Sequence, residues 1–246
     1  MQSGPILNIS CYLFVSLPDA AALRERLQAR AEALGLKGTV LIAGEGINLF
    51  LAGPADALRA WVDELRADAR FAALTPKESW SETQPFQRLK VKVKPEIIRM
   101  NHPTIRPDLA PRAPALAPAT LARWLDQGHD DAGREVVMLD TRNGFEVDHG
   151  AFDDAIDWRL HKFSDFPAAL AAHKAELAGK TVVSYCTGGI RCEKAAMVLA
   201  EQGLTAWQLD GGILKYFEDT GGKHYHGSCF VFDEREALAA DLSPAS

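Results

Sequence analysis

The chain has 246 residues, of which 47% are hydrophobic and 24% are charged, with a formal net charge of −6. This length suits one large domain or two small ones, and the composition is ordinary for a globular protein. No apolar run approaches the roughly 20 residues that span a bilayer, and the N-terminus lacks the features of a signal peptide. The four cysteines (11, 186, 192 and 229) form no CxxC pair, which argues against a disulfide scaffold or a zinc ribbon. We therefore expect a cytoplasmic protein without a membrane partner.

Charge is distributed unevenly along the chain. Residues 1–100 hold 13 Lys and Arg against 11 Asp and Glu, whereas the remaining 146 residues hold 14 against 22. A nucleic-acid partner is therefore more plausibly bound by the N-terminal half than by the acidic remainder.

A proline-rich segment gives the clearest domain boundary. Residues 101–119 contain five of the thirteen prolines and show no helical or strand period, as is typical of a semi-rigid, extended linker. The linker separates an N-terminal domain at 1–100 from a second domain at 120–236. Residues 237–246 are expected to form a C-terminal tail.

Apolar periodicity before the linker predicts the element order βαββαβ. Strands are predicted at 6–17, 38–43, 47–52 and 89–98, and helices at 20–34 and 55–65. A hairpin-like turn at Gly44-Glu45-Gly46 joins the second and third strands. This order predicts a ferredoxin-like α+β sandwich, with two helices on an antiparallel sheet.

The last of these strands carries four cations, Arg88, Lys90, Lys92 and Lys94, which alternate with Leu89, Val91 and Val93. A strand has a side-chain period of two, so the cations fall on one face and the aliphatic residues on the other. Such a face could contact an RNA backbone. The strand by itself favours the alternative, which is a solvated face or an edge strand that lysines protect against aggregation.

Strands and helices alternate after the linker. Strands are predicted at 136–139, 155–158, 180–185 and 206–209, with helices near 120–125, 145–148, 166–177 and 193–202. This alternation predicts a doubly wound parallel sheet covered on both faces. Asp140 and Cys186 each follow a strand, where such sheets bind ligands, so we expect them to share a pocket.

The most informative stretch is the loop of six residues from Cys186 to Arg191, with Thr187, Gly188, Gly189 and Ile190 between them. A short loop between a strand and a helix points backbone N–H groups at its centre, and the helix dipole adds to that positive field. Together with the Arg191 guanidinium, these groups should lower the pKa of a thiol held there. The prediction is a nucleophilic or persulfide-carrying Cys186; the alternative is a buried structural cysteine beside a turn.

Four other residues are candidates for supporting roles. Arg142 and Glu146 are four residues apart, which favours a structural ion pair, and Asp140 is the stronger candidate to orient the loop. Cys192 could be a resolving thiol for an oxidised Cys186, or it could simply pack against the sheet. No metal site is predicted, because His224, His226 and Cys229 have no fourth ligand at a credible spacing.

The second domain resembles a rhodanese domain in four features: Asp140-Thr141-Arg142, Glu146, the loop from Cys186 to Arg191 and Gly211-Gly212. Rhodanese-type sulfurtransferases have a Cys-x4-Arg loop, as here, whereas related phosphatases of the Cdc25 type have a loop one residue longer.

A closer resemblance involves four segments spread over nearly the whole chain. Residues 44–48, 86–94, 185–194 and 227–235 resemble the bacterial rhodanese-domain tRNA uridine hydroxylases, which form 5-hydroxyuridine at the wobble position with oxygen. The resemblance implies an oxidoreductase with tRNA as its partner, Cys186 as the essential residue and molecular oxygen as co-substrate. No other cofactor and no obligate protein partner are expected, and Cys186 could carry a persulfide.

The loop alone leaves two other interpretations open. A thiosulfate or persulfide sulfurtransferase would need the same Cys-x4-Arg loop, and so would a sulfur-carrier module. The N-terminal domain favours RNA modification, since plain sulfur transfer does not require a basic-faced ferredoxin-like domain.

Overall fold

The computed structural model describes residues 5–245, which divide into two compact units. The first unit runs to Ile98 and also includes Arg106–Ala110 and Asp233–Arg235. The second unit comprises Arg99–Ile105, Pro111–Phe232 and the chain from Glu236 onward. The proline-rich segment is therefore divided between the two units.

The first unit has the predicted order βαββαβ with one further strand. Its elements are β1 (Ile6–Phe14), α1 (Ala20–Ala33), β2 (Lys37–Ala43), β3 (Gly46–Gly53), α2 (Ala55–Arg66), β4 (Lys77–Ser81) and β5 (Leu89–Val93). The strands form one sheet in the order β4-β1-β3-β2-β5. Neighbouring strands are antiparallel except for β5, which runs parallel to β2.

The identity of the final strand is a correction to the prediction. The ferredoxin-like motif is completed by β4, which pairs antiparallel to β1 with Trp80 opposite Leu7. The basic strand β5 is an additional edge strand, so the sheet is mixed rather than antiparallel. Periodicity misses β4 because its sequence, KESWS, has no buried side chain to mark an inner face.

The hairpin turn between β2 and β3 holds the end of the first unit. Glu45 is buried, and its Oε1 accepts a hydrogen bond from the backbone N–H of Ile97 at 2.8 Å. Asn48 Nδ2 donates to the Ile97 carbonyl at 3.3 Å. The polar residues of this turn therefore have a structural role within the unit.

The second unit is built on a parallel sheet. Its elements are β6 (Ala115–Leu116), α3 (Pro118–Gln127), β7 (Val136–Asp140), α4 (Gly144–Val147), β8 (Gly150–Phe152), α5 (Phe166–His173), β9 (Thr181–Tyr185), α6 (Ile190–Glu201), β10 (Thr205–Leu209), α7 (Gly212–Thr220), β11 (Tyr225–Gly227), β12 (Cys229–Phe230) and β13 (Ala237–Leu238). The main sheet has the order β6-β10-β9-β7, and every neighbouring pair is parallel.

Three boundaries differ from the prediction. The expected strand at 155–158 is reduced to a single bridge between Ile156 and Leu139. Both β6 and the start of α3 lie inside the segment expected to be a linker. Helix α3 can start at Pro118 because the first turn of a helix does not use its backbone N–H groups, so the N–H that proline lacks is not missed. Helix α6 begins at Ile190, three residues earlier than expected, so Arg191 lies in its first turn.

Helices cover both faces of the parallel sheet, as alternate residues of β9 show. Val183 and Tyr185 are in one core cluster with residues of α3 and α7, among them Leu121 and Ile213. Ser184 points to the opposite side, where its hydroxyl donates to the Cys192 carbonyl of α6 at 3.2 Å. Burial of aliphatic and aromatic side chains on both faces stabilises the sheet by ~25 cal/mol per Å² of apolar surface removed from water. This sheet places the carboxyl ends of β7 and β9 side by side.

Candidate active site

The loop from Cys186 to Arg191, which we call the cradle, directly follows β9. Cys186 comes after Tyr185, the last residue of the strand, and Ile190 opens α6. Gly189 has a φ of 105°, in the left-handed region that favours glycine, and this lets the chain turn into the helix within three residues. The cradle therefore places Cys186 at the positive end of a helix of 12 residues.

The Cys186 thiol is buried and held in an environment that favours its anion. The backbone N–H of Gly189 donates to Sγ at 3.2 Å. Burial by itself would raise the pKa of the thiol. A hydrogen bond from Cys192, the positive charge of Arg191 and the backbone N–H groups of both residues outweigh burial and hold the pKa of Cys186 well below its ordinary value. Cys186 is therefore suited to be a thiolate at neutral pH.

Two other buried cysteines show what burial does without a cradle. Burial raises the pKa of Cys11 and of Cys229 to about 12 each, although nearby cations oppose the shift. These thiols stay protonated and unreactive near neutral pH. Burial therefore does not activate a cysteine in this protein; the dipoles and charge around Cys186 do.

Arg191, the last residue of the cradle, is fixed by Glu146 of α4. Its Nη1 and Nη2 donate to Oε1 and Oε2 of Glu146 at 2.5 and 2.7 Å, and both side chains are buried. Burial disfavours the guanidinium cation, but the carboxylate of Glu146 and the sulfur of Cys186 outweigh it and raise the pKa of Arg191. Arg191 is therefore a permanent cation between a carboxylate and the reactive sulfur.

The predicted pair between Arg142 and Glu146 is wrong. Arg142 instead pairs with Asp140, to which its Nη2 donates at 2.6 Å, and both side chains are fully buried. Arg142 also donates to the Gly150 carbonyl at 2.7 Å and contacts Glu146 only through the backbone carbonyl at 3.4 Å. Spacing along the chain favoured the local pair, whereas the fold uses the Glu146 carboxylate for Arg191. Asp140 thus holds Arg142 rather than the loop.

Helix α7 supports the cradle from behind. The N–H groups of Ile213 and Leu214 donate to the carbonyls of Cys186 and Thr187 at 3.0 and 3.1 Å. Gly212 permits this approach, because a Cβ there would lie 2.4 Å from the Cys186 oxygen. With these two carbonyls turned to α7, the sulfur is met by backbone N–H groups, those of Gly189, Arg191 and Cys192.

Cys192 lies one residue beyond the cradle and is buried. Its Sγ is 2.9 Å from the Gly189 carbonyl, and the same thiol also helps to lower the pKa of Cys186. A thiol has one proton, so at any one time Cys192 can donate either to the Gly189 carbonyl or to the Cys186 sulfur. Cys192 is thus part of the environment of Cys186, and a redox role for it stays a prediction.

The four cations predicted for RNA contact lie in the first unit, on or beside β5. Arg88, Lys92 and Lys94 are exposed and Lys90 is half-buried, while Val91 is buried on the opposite face. Val93 departs from the pattern, since 47% of its surface is exposed at the end of the strand. Because β5 is an edge strand, all three interpretations of its lysines, as an RNA contact, a solvated face or a protected edge, stay compatible with the fold.

The histidines near the end of the second unit have acidic partners. His224 Nε2 is 2.8 Å from Asp126 Oδ1, and His226 Nδ1 is 3.2 Å from Asp153 Oδ1. Within residues 5–245, no three His, Cys, Asp or Glu side chains lie together in a way that could hold a metal ion. The same residues contain no helix long and apolar enough to cross a membrane.

The fold and the site together define the class. A parallel sheet with a six-residue loop from Cys186 to Arg191 is the arrangement expected of a rhodanese-type domain, and residues 118–219 match the family described as "Rhodanese-like domain". Residues 6–97 match a second family, described as "UPF0176 acylphosphatase like domain", which agrees with the ferredoxin-like sheet of the first unit.

Whole-chain comparison identifies the family. The chain is 70% identical to the tRNA uridine(34) hydroxylase of Delftia acidovorans over 97% of its own length and 90% of that protein. It is 65% identical to the tRNA uridine(34) hydroxylase of Variovorax paradoxus, with the same two coverages. It is 63% identical to that of Bordetella avium, over 97% of this chain and 99% of the relative. The chain belongs to the tRNA uridine(34) hydroxylase family.

Proposed function

We propose that this protein is an oxidoreductase that hydroxylates C5 of uridine 34 in tRNA, with molecular oxygen as co-substrate and Cys186 as the reactive group. One oxygen atom enters the C5–H bond, and the other is reduced to water by two electrons and two protons from a thiol reductant, which becomes a disulfide. The observation that carries the proposal is the anion-stabilising cradle around Cys186, in a chain 70% identical over nearly its full length to a protein named tRNA uridine(34) hydroxylase. The thiolate supplies a nucleophilic, oxidisable sulfur, and the Arg191 cation and the backbone dipoles of the cradle stabilise it.

The cradle is suited to hold the charge on sulfur as its chemistry proceeds. A thiolate, a persulfide and a sulfenate are all anions centred at or next to Sγ. Each is stabilised by the Gly189 N–H, 3.2 Å from Sγ, and by the Arg191 cation that Glu146 fixes. Since these donors are bound before any substrate arrives, they need no rearrangement during the reaction.

The basic strand of the first unit is the proposed contact for the tRNA backbone. Arg88, Lys90, Lys92 and Lys94 follow one another at alternate positions, so their charges are spaced along one edge of the sheet. Regularly spaced surface cations favour a polyanion without selecting its sequence. We place the protein in the cytoplasm, where its tRNA substrate is found, and we assign it no obligate protein partner and no bound cofactor.

The decisive experiment is nucleoside mass spectrometry of tRNA from cells with and without the protein. Loss of 5-hydroxyuridine on deletion, restored by the wild-type chain but not by Cys186→Ser, is the expected result. Cys11→Ala is the matched control, because Cys11 is an equally buried cysteine whose pKa is raised to about 12. Restoration by Cys186→Ser, or unchanged 5-hydroxyuridine on deletion, would contradict the proposal.

The second candidate is a thiosulfate or persulfide sulfurtransferase or carrier. It is favoured by the cradle alone, because an N–H-lined loop ending in a buried arginine would also stabilise a persulfide on Cys186. Cyanide-dependent thiocyanate formation by the purified protein, together with unchanged 5-hydroxyuridine in cells that lack it, would favour this function over hydroxylation.

A further inference from the structure

Four aromatic side chains form a patch beside the cradle, which we call the aromatic platform: Phe145, His149, Phe230 and Phe232. The Phe230 ring lies at the centre, with centroids 5.2 Å from Phe145, 5.2 Å from His149 and 5.0 Å from Phe232. Two of these contacts are edge-to-face, with interplanar angles of 88° and 86°. The rings therefore hold one another in place, and the faces of the outer rings are not stacked on Phe230.

The platform is open to solvent in a way that a core cluster is not. Phe145 and Phe232 are 49% and 50% exposed, and both belong to the small set of exposed large apolar side chains among the described residues. Folding normally hides an aromatic ring, since burying it is worth about 1.5–3 kcal/mol. Two half-exposed phenylalanines joined through a third ring form a contiguous apolar surface, which marks a binding site more often than a single exposed ring does.

The platform is connected to the cradle through one chain neighbour and one hydrogen bond. Phe145 precedes Glu146, whose carboxylate holds Arg191 at 2.5 and 2.7 Å. The carbonyl of Phe230 accepts a hydrogen bond from Thr187 Oγ1, in the residue after Cys186, at 3.4 Å. The exposed rings thus lie on the two segments that flank the reactive cysteine.

The charge around the platform fits a neutral ligand. The Glu146 carboxylate is bound to Arg191, and Asp148 is paired with Arg159 at 2.7 Å. Among the described residues, the cation-π contacts involve Trp80, Phe71 and Tyr185 and none of the three phenylalanine rings of the platform. Their π surfaces suit a base rather than a phosphate. A uridine that reacts at C5 must also leave the stack of its neighbours, and aromatic rings are the usual replacement for lost base stacking.

Resting on the proposed function, we propose that the aromatic platform binds the unstacked bases of a tRNA anticodon loop, with Phe145 and Phe232 stacking on the reacting uridine or its immediate neighbour. The platform fixes the base next to the cradle, while the basic strand of the first unit contacts the backbone. Removing one stacked base contact weakens binding about 5- to 150-fold, which corresponds to ~1–3 kcal/mol.

The test compares ring-removing and ring-keeping variants in steady-state hydroxylation of an anticodon stem–loop RNA. Phe145→Leu and Phe232→Leu keep apolar bulk but lose the ring, and they should raise KM by at least about 5-fold with a smaller change in kcat. Phe145→Tyr and Phe232→Tyr keep the ring and should stay within about 2-fold of wild type. Leu109→Ala, a change at a side chain 67% exposed in the first unit, is the control for loss of surface apolar area.

A second measurement does not depend on turnover. The same stem–loop with 5-iodouridine at position 34 is irradiated with the wild-type protein, and the crosslinked peptide is identified by mass spectrometry. A crosslink to Phe145, Phe230 or Phe232, lost in the leucine variants, is the expected result. Circular dichroism and the ultraviolet absorbance of the Cys186 thiolate confirm that each variant is folded with an intact cradle.

The outcomes separate this inference from the proposed function. If the wild-type protein hydroxylates the RNA and the leucine variants have the same KM as Leu109→Ala, base binding by the platform is overturned and the hydroxylase proposal is kept. Absence of wild-type hydroxylation, with a platform crosslink still present, would overturn the hydroxylase proposal and retain a base-binding platform. Crosslinks only to other segments would overturn base binding by the platform at any level of activity. They would favour a protein partner as the ligand of its exposed rings.

Discussion

The carboxylate of Glu146 binds the guanidinium of Arg191 through two parallel hydrogen bonds of 2.5 and 2.7 Å, with both side chains buried. This pair joins α4 to the last residue of the loop that carries Cys186. It fixes the direction of the Arg191 cation, on which the ionisation of Cys186 depends.

Glu146→Gln should strongly destabilise the protein. The variant leaves the Arg191 cation buried without its carboxylate, a change that typically costs 3–5 kcal/mol, so we expect a loss of about 3–5 kcal/mol in the free energy of unfolding. Urea denaturation measures the loss. Glu64→Gln is the matched control, because Glu64 also accepts two hydrogen bonds from one arginine, Arg30, but on the exposed surface. Its cost should stay within about 1 kcal/mol. Equal losses in the two variants would contradict this account.

The Cys186 thiol should ionise below the ordinary thiol pKa of 9.0. The ultraviolet absorbance of the thiolate, measured as the difference between wild type and Cys186→Ser, should therefore be present at neutral pH and lost only on acidification. Because the folded-state pKa is lowered, this group stabilises the fold fully above the unfolded-state pKa, and its contribution is lost as pH falls through the folded-state pKa. Arg191→Met should move the transition to higher pH. A wild-type signal that appears only near pH 9 would refute the activated thiol.

Gly212→Ala should distort the cradle. The new Cβ would lie 2.4 and 2.7 Å from the carbonyl oxygens of Cys186 and Thr187, and these backbone atoms cannot move without shifting the loop or α7. We expect a loss of at least about 3 kcal/mol in unfolding free energy and a weaker thiolate signal. Gly128→Ala is the control, since Gly128 is also left-handed, with a φ of 74°, but has nothing within 4 Å of the added atom. That variant should cost about 1–2 kcal/mol, with the thiolate signal unchanged.

Reversing the charge of Lys90, Lys92 and Lys94 to glutamate should greatly weaken tRNA binding. Each phosphate contact contributes to the salt dependence of affinity, so the neutral variant with three glutamines should also lower the slope of log K against log salt by up to about 3. Filter binding over a salt series measures both effects. Glutamates at Lys162, Lys180 and Lys223 of the second unit give a control with the same change in net charge. Equal weakening in the two triple variants would show that net charge, rather than β5, governs binding.

The reactive loop could be predicted from sequence because its signals are local. A β-branched strand, a cysteine, two glycines, an arginine and a helix follow one another within about twenty residues, and the structure has β9, the cradle and α6 there. The predicted lowering of the Cys186 pKa agrees in direction with the structure. The charge of Arg191 and the backbone N–H groups were predicted causes, whereas the hydrogen bond from Cys192 was not. The α/β fold class is confirmed for the same reason, since hydrophobic periodicity marks most of the strands and helices.

What the sequence could not supply is long-range pairing. Glu146 lies four residues from Arg142 but 45 from Arg191, and sequence spacing favours the nearer arginine. Only the packing of α4 beside the loop shows that its carboxylate serves the cradle. Strand β4 was not predicted because it has no buried side chain. Helix α7 was not predicted because two glycines, which suggest a turn, stand at its N-terminus. Tertiary contacts override local preference at each of these places.

The two hydrogen bonds from α7 to the cradle also fix where the loop starts. Ile213 and Leu214 contact the carbonyls of two consecutive residues, Cys186 and Thr187, so the spacing of the helix is matched to the spacing of the loop. Both carbonyls lie at the start of the cradle, directly after β9, so α7 anchors these two residues and leaves Gly188 and Gly189 to complete the turn into α6. A change of loop length that preserves the anchored start would thus have to fall between Thr187 and Arg191.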